Sequence, residues 1–242
     1  MTAAIITRNV CKSFSIASQA TPILRGISLE IARGETVFLV GPSGSGKTTL
    51  LSVLGCILSP DQGDIEVLGR PVSRLSNAKL TAFRGEHLGF VFQNFNLFPT
   101  LSALDNVQLA LSMRGWPLRA SRERAAQMLE QVGLAHRLDT RPARLSGGEC
   151  QRVAIARGLA AEPSIVFADE PTASLDAESG QSAMRLLQRL VIERGGSLVV
   201  VTHDNRIASF ADRILRLEDG RLAADDHEFA PSHSIAQREA VS

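Results

Sequence analysis

The chain has 242 residues, 44% of them hydrophobic and 21% charged, enough for one large domain with a substantial core. Its 26 basic and 25 acidic residues leave a net charge of +1, so no global field recruits nucleic acid and none is expected as a partner. The longest strongly apolar charge-free segment, Thr48 to Pro60, is 13 residues where a spanning helix needs roughly 20, and Thr7 and Arg8 follow Ile5-Ile6 too soon for the apolar core of a signal peptide.

Ala3 to Phe14 and Ile23 to Ile31 alternate well enough to predict two strands, with Ser15 to Thr21 as the loop between them. Thr36 to Val40 is a short apolar run and predicts a buried strand. Gly41-Pro42-Ser43-Gly44-Ser45-Gly46-Lys47-Thr48 follows, and Thr48 to Leu54 predicts a helix. This octet fits G-x-x-x-x-G-K-[ST] at every required position, and it sits between a strand and a helix, where its chemistry needs it. The glycines let the backbone turn tightly, so that successive N–H groups point inward at phosphate oxygens. The positive end of the helix adds to that cradle. Lys47 is placed to reach the β- and γ-phosphates and the Thr48 hydroxyl to ligate Mg²⁺, and Thr49 is assigned to the nucleotide with the loop. An incidental glycine-rich turn with a stray lysine does not account for the whole motif, so a bound nucleoside triphosphate is expected.

Further along, Pro60 to Asp64 reads as a turn, Ile65 to Leu68 as a short strand and Leu88 to Phe92 as an apolar strand. From about Leu101 to Leu159 the pattern is helical, and Arg122 to Leu134 sets Ala125, Met128, Leu129 and Val132 on one face. Ile165 to Ala168 and Ser197 to Thr202 read as parallel core strands, with a helix from Ala177 to Glu193 between them. Leu215 to Leu222 holds a hairpin around Asp219-Gly220. Residues 223–242 are polar and read as a flexible tail. The cysteines, Cys11, Cys56 and Cys150, form no C-x-x-C pair, which suits a reducing compartment.

Five other pieces say less singly. Ile165 to Glu170 is an apolar strand ending in two carboxylates, and a parallel strand delivers its last residues to the ligand crevice. There Asp169 would meet the Mg²⁺ shell and Glu170 would polarise an attacking water. Leu145-Ser146-Gly147-Gly148-Glu149 has the spacing of a capping box, and physics alone favours that plain helix start over a second phosphate site built on the exposed N–H groups of two glycines. Gln93 and His203 each follow a strand, and Ser174-Leu175-Asp176 is in isolation a turn into a helix.

Gly41–Thr48, Gln93, Leu145–Gln151, Ile165–Asp176 and His203, in that order, resemble the nucleotide-binding subunit of ATP-binding-cassette (ABC) transporters over residues 3–222. Leu-Ser-Gly-Gly-Glu and Asp169-Glu170-Pro171-Thr172 are the most specific parts of the match. The resemblance implies an α/β fold: a RecA-like P-loop ATPase core over residues 1–92 and 163–222, with an antiparallel β-subdomain and an inserted helical subdomain at 93–162. It implies ATP and Mg²⁺ as cofactors, and a head-to-tail dimer of two copies sandwiching two ATP molecules. It also implies a membrane permease as partner, with the subunit peripheral on the cytoplasmic face of the inner membrane. By motif, Ser146, Gly147 and Gly148 would contact the γ-phosphate of the partner's ATP, and Glu170 would be the catalytic carboxylate. His203 would touch the γ-phosphate, Gln93 would link Mg²⁺ and water to the permease, Thr48 and Asp169 would complete the metal shell, and Asp176 would lie at the dimer seam.

The chain departs from the family at two places. It has no tyrosine, and Lys12-Ser13-Phe14 matches the pattern around the adenine-stacking aromatic, so Phe14 is the stacking candidate. Cys150 stands where relatives carry a polar residue, and is either thiol-sensitive or inert. The regions 41–51, 90–107 and 145–157 look most like the class serving lipoprotein release, macrolide-type efflux and cell division, although Ala173-Ser174 stands where that class has Gly-Asn or Gly-Ala. Phe95, Leu97 and Phe98 fall either near the permease groove or in the helical core. An exporter or lipid/lipoprotein extractor is expected, with an import subunit or a mechanotransmission ATPase as the alternatives.

Overall fold

A computed structural model describes residues 3–16 and 19–223. Two long strands, β1 (Ala3–Ile16) and β2 (Gln19–Ala32), pair antiparallel. The pairing runs from Ala3↔Ala32 to Ile16↔Gln19, so the hairpin is tighter than the alternation suggested. β4 (Gln62–Val67) adds to β1 and β5 (Arg70–Pro71) to β4, giving an antiparallel sheet in the order β2-β1-β4-β5. The antiparallel layer expected ahead of the phosphate loop is therefore present.

The second sheet has six strands. β3 (Thr36–Val40), β6 (Leu88–Phe92), β7 (Ile165–Asp169), β8 (Ser197–Val201), β9 (Arg213–Glu218) and β10 (Arg221–Leu222) lie in the order β10-β9-β3-β8-β7-β6. All neighbours are parallel except the β9–β10 hairpin, which turns at Asp219 and Gly220, both at positive φ. That hairpin matches the turn read from Asp-Gly.

Strand periodicity sorts the apolar residues to the two faces of this sheet. Phe38, Val91, Val166, Ala168, Leu198 and Val200 pack on the side of the large helices. Val37, Leu39, Leu88, Ile165, Phe167 and Val199 pack on the side of the antiparallel sheet and α1 (Lys47–Leu54). Burial on both faces explains why these strands read as continuous apolar runs rather than as alternation.

The sequence pattern did not show α2 (Asn77–His87), which buries only Leu80 and Phe83 and so carries little periodicity. α3 (Ala103–Ser112), α4 (Leu118–Gln131) and α5 (Gly147–Leu159) fill the stretch read as helical. α4 buries Ala125, Met128 and Leu129, as their spacing predicts. These helices share one apolar cluster with the sheet face and with α6 (Ala177–Ile192). α5 begins at Gly147, directly after its cap Ser146. No helix among the described residues is long and apolar enough to cross a membrane. All but the first residue of the tail read at 223–242 lies outside the described residues.

Candidate nucleotide site

Strand order brings the separate motifs together. The carboxyl ends of β3, β8, β7 and β6 are successive along the sheet, and from them run the 41–46 loop, Thr202-His203, Asp169-Glu170 and Gln93. A parallel sheet presents this edge to a ligand because all its strands finish there.

The loop between β3 and α1 has Gly41, Gly44 and Gly46 at φ of 153°, 80° and 101°. A side chain at Gly41 would run into the backbone carbonyl of Leu217, so the residue must be glycine for space as well as for φ. Gly46 is the N-cap of α1, in the left-handed conformation, and no side chain caps the helix. α3, α5 and α6 are instead capped by Ser102, Ser146 and Asp176. The first N–H groups of α1 are thus left to an external acceptor.

Pro42, Ser43, Gly44 and Thr48 face solvent, and Thr49 is half-buried. Lys47 Nζ donates to the Gly41 and Pro42 carbonyls at 2.8 Å each, which holds the ammonium over the loop. Ser45 Oγ is buried without a hydrogen-bond partner in the structure. An uncapped helix start, an ammonium and an orphaned hydroxyl on one loop are the donors an anion needs. A cavity of about 590 Å³ opens to one side of the loop, lined by Gly41, Pro42, Thr202, His203 and Arg216 among others.

Thr48 Oγ1 donates to Asp169 Oδ1 at 3.3 Å, joining α1 to the end of β7. Burial raises the Asp169 carboxyl above its usual range, with the Thr48 hydrogen bond working against the shift. A hydroxyl and a carboxylate are hard oxygen donors, the kind Mg²⁺ takes alongside nucleotide phosphates, so these residues fit that ion.

Glu170 follows with φ of 48°, a left-handed conformation that a non-glycine residue adopts at a cost on the order of 1–3 kcal/mol. Its N–H donates to Val201 O at 2.8 Å, and its own carbonyl accepts from Ala173 N at 3.2 Å. A hydrogen bond of 2.8 Å joins its carboxylate to His203 Nδ1. The carboxylate accepts, so the proton sits on Nδ1. The Glu170 side chain is 14% exposed and that of His203 is 71% exposed, so the pair spans the boundary between core and crevice. Below it, Thr172 Oγ1 donates to Asp204, whose carboxyl is held down at about 2, chiefly by its hydrogen bonds from Arg206.

The exposed Gln93 begins a loop fastened at three points. Its carbonyl accepts from Ser174 Oγ at 3.3 Å. Arg157 on α5 donates to the carbonyls of Phe95 and Asn96. The buried Asn106 on α3 bonds both the N–H and the C=O of Phe98, at 2.8 and 3.1 Å. Leu97 packs against the helical core, whereas Phe98 is 51% exposed. Sequence reasoning missed Arg157 and Asn106. Their only signal is a polar residue inside an apolar helical stripe, which cannot name the loop they hold.

Ser146 makes the capping box its spacing predicts: Oγ accepts from Glu149 N at 3.2 Å, and Glu149 Oε2 accepts from Ser146 N at 2.8 Å. Hydrogen bonds from Ser146, then from Arg137, hold the Glu149 carboxyl below its usual range. Gly147 is exposed and Gly148 half-buried, with open space or ordinary contacts where a Cβ would lie, so no packing demand of this chain requires glycine at either. Cys150 is buried, and its thiol is pushed up by desolvation and then by Glu149. Phe14 lies on β1, 38% exposed, with Lys12 Nζ 5.8 Å from its ring centroid. The structure thus brings together the 41–49 loop, Asp169, Glu170 and His203. Ser146–Gly148 belongs to α5 and bonds within its own helix start.

A glycine-rich cradle ahead of an uncapped helix, with an acidic pair on a nearby strand end, defines a P-loop nucleotide-binding domain. The chain belongs to the ABC transporter family, whose model matches residues 24–173. It is 48% identical over 216 residues to "Macrolide export ATP-binding/permease protein MacB" of Rhodopirellula baltica, covering 88% of this chain and 32% of that protein. It is 44% identical over 214 residues to an "Uncharacterized ABC transporter ATP-binding protein" of Thermotoga maritima, covering 88% of this chain and 91% of the other. Among solved structures, the ATP-binding cassette MJ0796 in a dimeric post-hydrolysis state with ADP and Pi superposes with a TM-score of 0.84 at 39% identity, covering 92% of this chain and 97% of that one. The chain spans about a third of the length of the macrolide-export proteins it matches, from 30% to 36%.

Proposed function

We propose that the chain is the ATP-hydrolysing subunit of an ABC transporter that exports or extracts its cargo, working with a membrane permease from the cytoplasmic face. The observation that carries the reading is the convergence of the 41–49 loop, Asp169, Glu170 and His203 on one sheet edge. The Rhodopirellula relative, whose name joins an ATP-binding part to a permease, supports a permease partner and the export direction.

In this reading the N–H groups of Gly44 to Thr48 hold the β- and γ-phosphates, and Lys47 turns from its two loop carbonyls to the γ-phosphate. Thr48 and Asp169 would hold Mg²⁺, with Gln93 as a further oxygen donor, and the ion would neutralise phosphate charge. Glu170 takes a proton from the attacking water, and His203, hydrogen-bonded to it, faces the γ-phosphate. The cradle is open to solvent, so a second surface is needed to exclude water from the reaction. The start of α5 on a second copy, Ser146 to Gly148, supplies it in a head-to-tail pair, and the cassette MJ0796 has itself been solved as a dimer.

Purified protein with Mg²⁺ and ATP is expected to release phosphate. Ser146→Arg is expected to lose that turnover while binding ATP with the parent's affinity, because the damage falls on the partner's nucleotide. Phosphate release and nucleotide titration on one preparation check this. Loss of both in proportion would mean that Ser146 serves only as the cap of α5.

Phe14 stacks on the adenine. Phe14→Ala is expected to raise the ATP dissociation constant by roughly 1–3 kcal/mol, about 5- to 150-fold, and Phe14→Tyr to change little. Fluorescent-nucleotide titration reads the shift, and equal affinity in Phe14→Ala would assign the base to another residue.

A further inference from the structure

Gln151 lies on α5, one turn past Ser146 to Gly148, and none of its surface is exposed. Its Nε2 donates to the carbonyl of Pro171 at 2.7 Å. A carbonyl only accepts, so the amide orientation is fixed. The other end, Oε1, is buried with no partner in the structure. A buried amide with one group unpaired is poor core filler, since Leu or Met at the same volume would avoid the desolvation cost. What the glutamine provides is its single bond, and that bond lands on the residue after Glu170.

Pro171 is one anchor of a strained turn. Glu170, held left-handed at φ 48°, is gripped on its N-terminal side by Val201 O through a 2.8 Å bond. On its C-terminal side the turn is gripped through Pro171 O by Gln151. A residue in a sparsely populated conformation stays there only while its surroundings over-determine it. The bond from Gln151 acts beside two others, Ala173 N donating to Glu170 O at 3.2 Å and His203 N donating to Glu170 Oε2 at 3.3 Å.

We propose that Gln151 is a positioning residue for Glu170: its hydrogen bond to Pro171 O holds the strained turn that aims the carboxylate. The inference rests on the reading of Glu170 as the base. Gln151 acts on the turn and not on the phosphate loop, so its loss separates turnover from binding.

The test compares the parent, Gln151→Met, which keeps the length and removes the donor, and Gln151→Glu, whose neutral acid restores one. Gln151→Met is expected to lose about 10- to 100-fold in kcat, the scale of a small misplacement of a reacting group, with the ATP dissociation constant within twofold of the parent. Gln151→Glu is expected to recover turnover relative to the parent as pH is lowered from 8.5 to 6, because the protonated acid donates to Pro171 O. A kcat within threefold of the parent in folded Gln151→Met overturns the proposal, as does a parallel loss of kcat and affinity. Should Gln151→Met fail to fold, the pH series on Gln151→Glu decides alone, and a ratio to the parent that is flat with pH overturns it. Glu170→Gln is assayed beside them. Turnover at the parent rate there sinks the base reading itself, whereas a dead Glu170→Gln with a normal Gln151→Met sinks only the role given to Gln151.

Discussion

Glu170→Gln is expected to bind ATP normally and to hydrolyse it about 10²–10⁴-fold more slowly than the parent. The amide keeps the size of the side chain, and its oxygen can still accept from His203 Nδ1, 2.8 Å from the present carboxylate. What it lacks is a lone pair basic enough to take a proton from water. Lys47, Thr48 and Asp169 are untouched, so the nucleotide stays. If two ATP molecules glue the head-to-tail pair and their cleavage releases it, this variant accumulates as an ATP-bound dimer. Size-exclusion chromatography at tens of micromolar protein, with and without saturating ATP, reads the outcome. A variant monomeric in both conditions would mean that the permease is needed to bring the two copies together.

Lys47→Ala is expected to fail earlier, at binding. The ammonium is the one cationic side chain the loop carries, and removing a preorganised electrostatic contact costs ~10²–10³ in rate. It also removes the two 2.8 Å bonds to the Gly41 and Pro42 carbonyls, so the loop loses its internal brace along with its charge. Nucleotide titration is expected to show greatly weakened affinity and phosphate release to fall with it. Near-normal turnover in the purified variant would remove the nucleotide assignment from residues 41–49.

These two residues were legible in the sequence because their environments are local. A strand, a glycine-rich loop and a helix start are written in consecutive residues, and β3 and α1 form where Thr36–Val40 and Thr48–Leu54 predict. The strands β6, β7 and β8 were equally plain, since burial on both faces makes their runs continuous. α2 was not, because its outer face is polar and its inner face holds two residues. Within the site, the capping box at Ser146 could be read from spacing, and it is present. The hydrogen bond from Gln151 to Pro171 and the grip of Arg157 on residues 95 and 96 could not. Each joins residues 20 or more apart in the chain, and neither partner's type names the other. The strain at Glu170 was also invisible, since no residue type announces a positive φ there as glycine would.

The loop after Gln93 has two fixings: Arg157 grips it at Phe95 and Asn96, and Asn106 holds Phe98 by both its N–H and its C=O. One fixing belongs to α5 and the other to α3, helices that pack against each other. The stretch 95–98 is therefore a strap across two helices, and one of them, α5, carries Ser146 to Gly148 at its start.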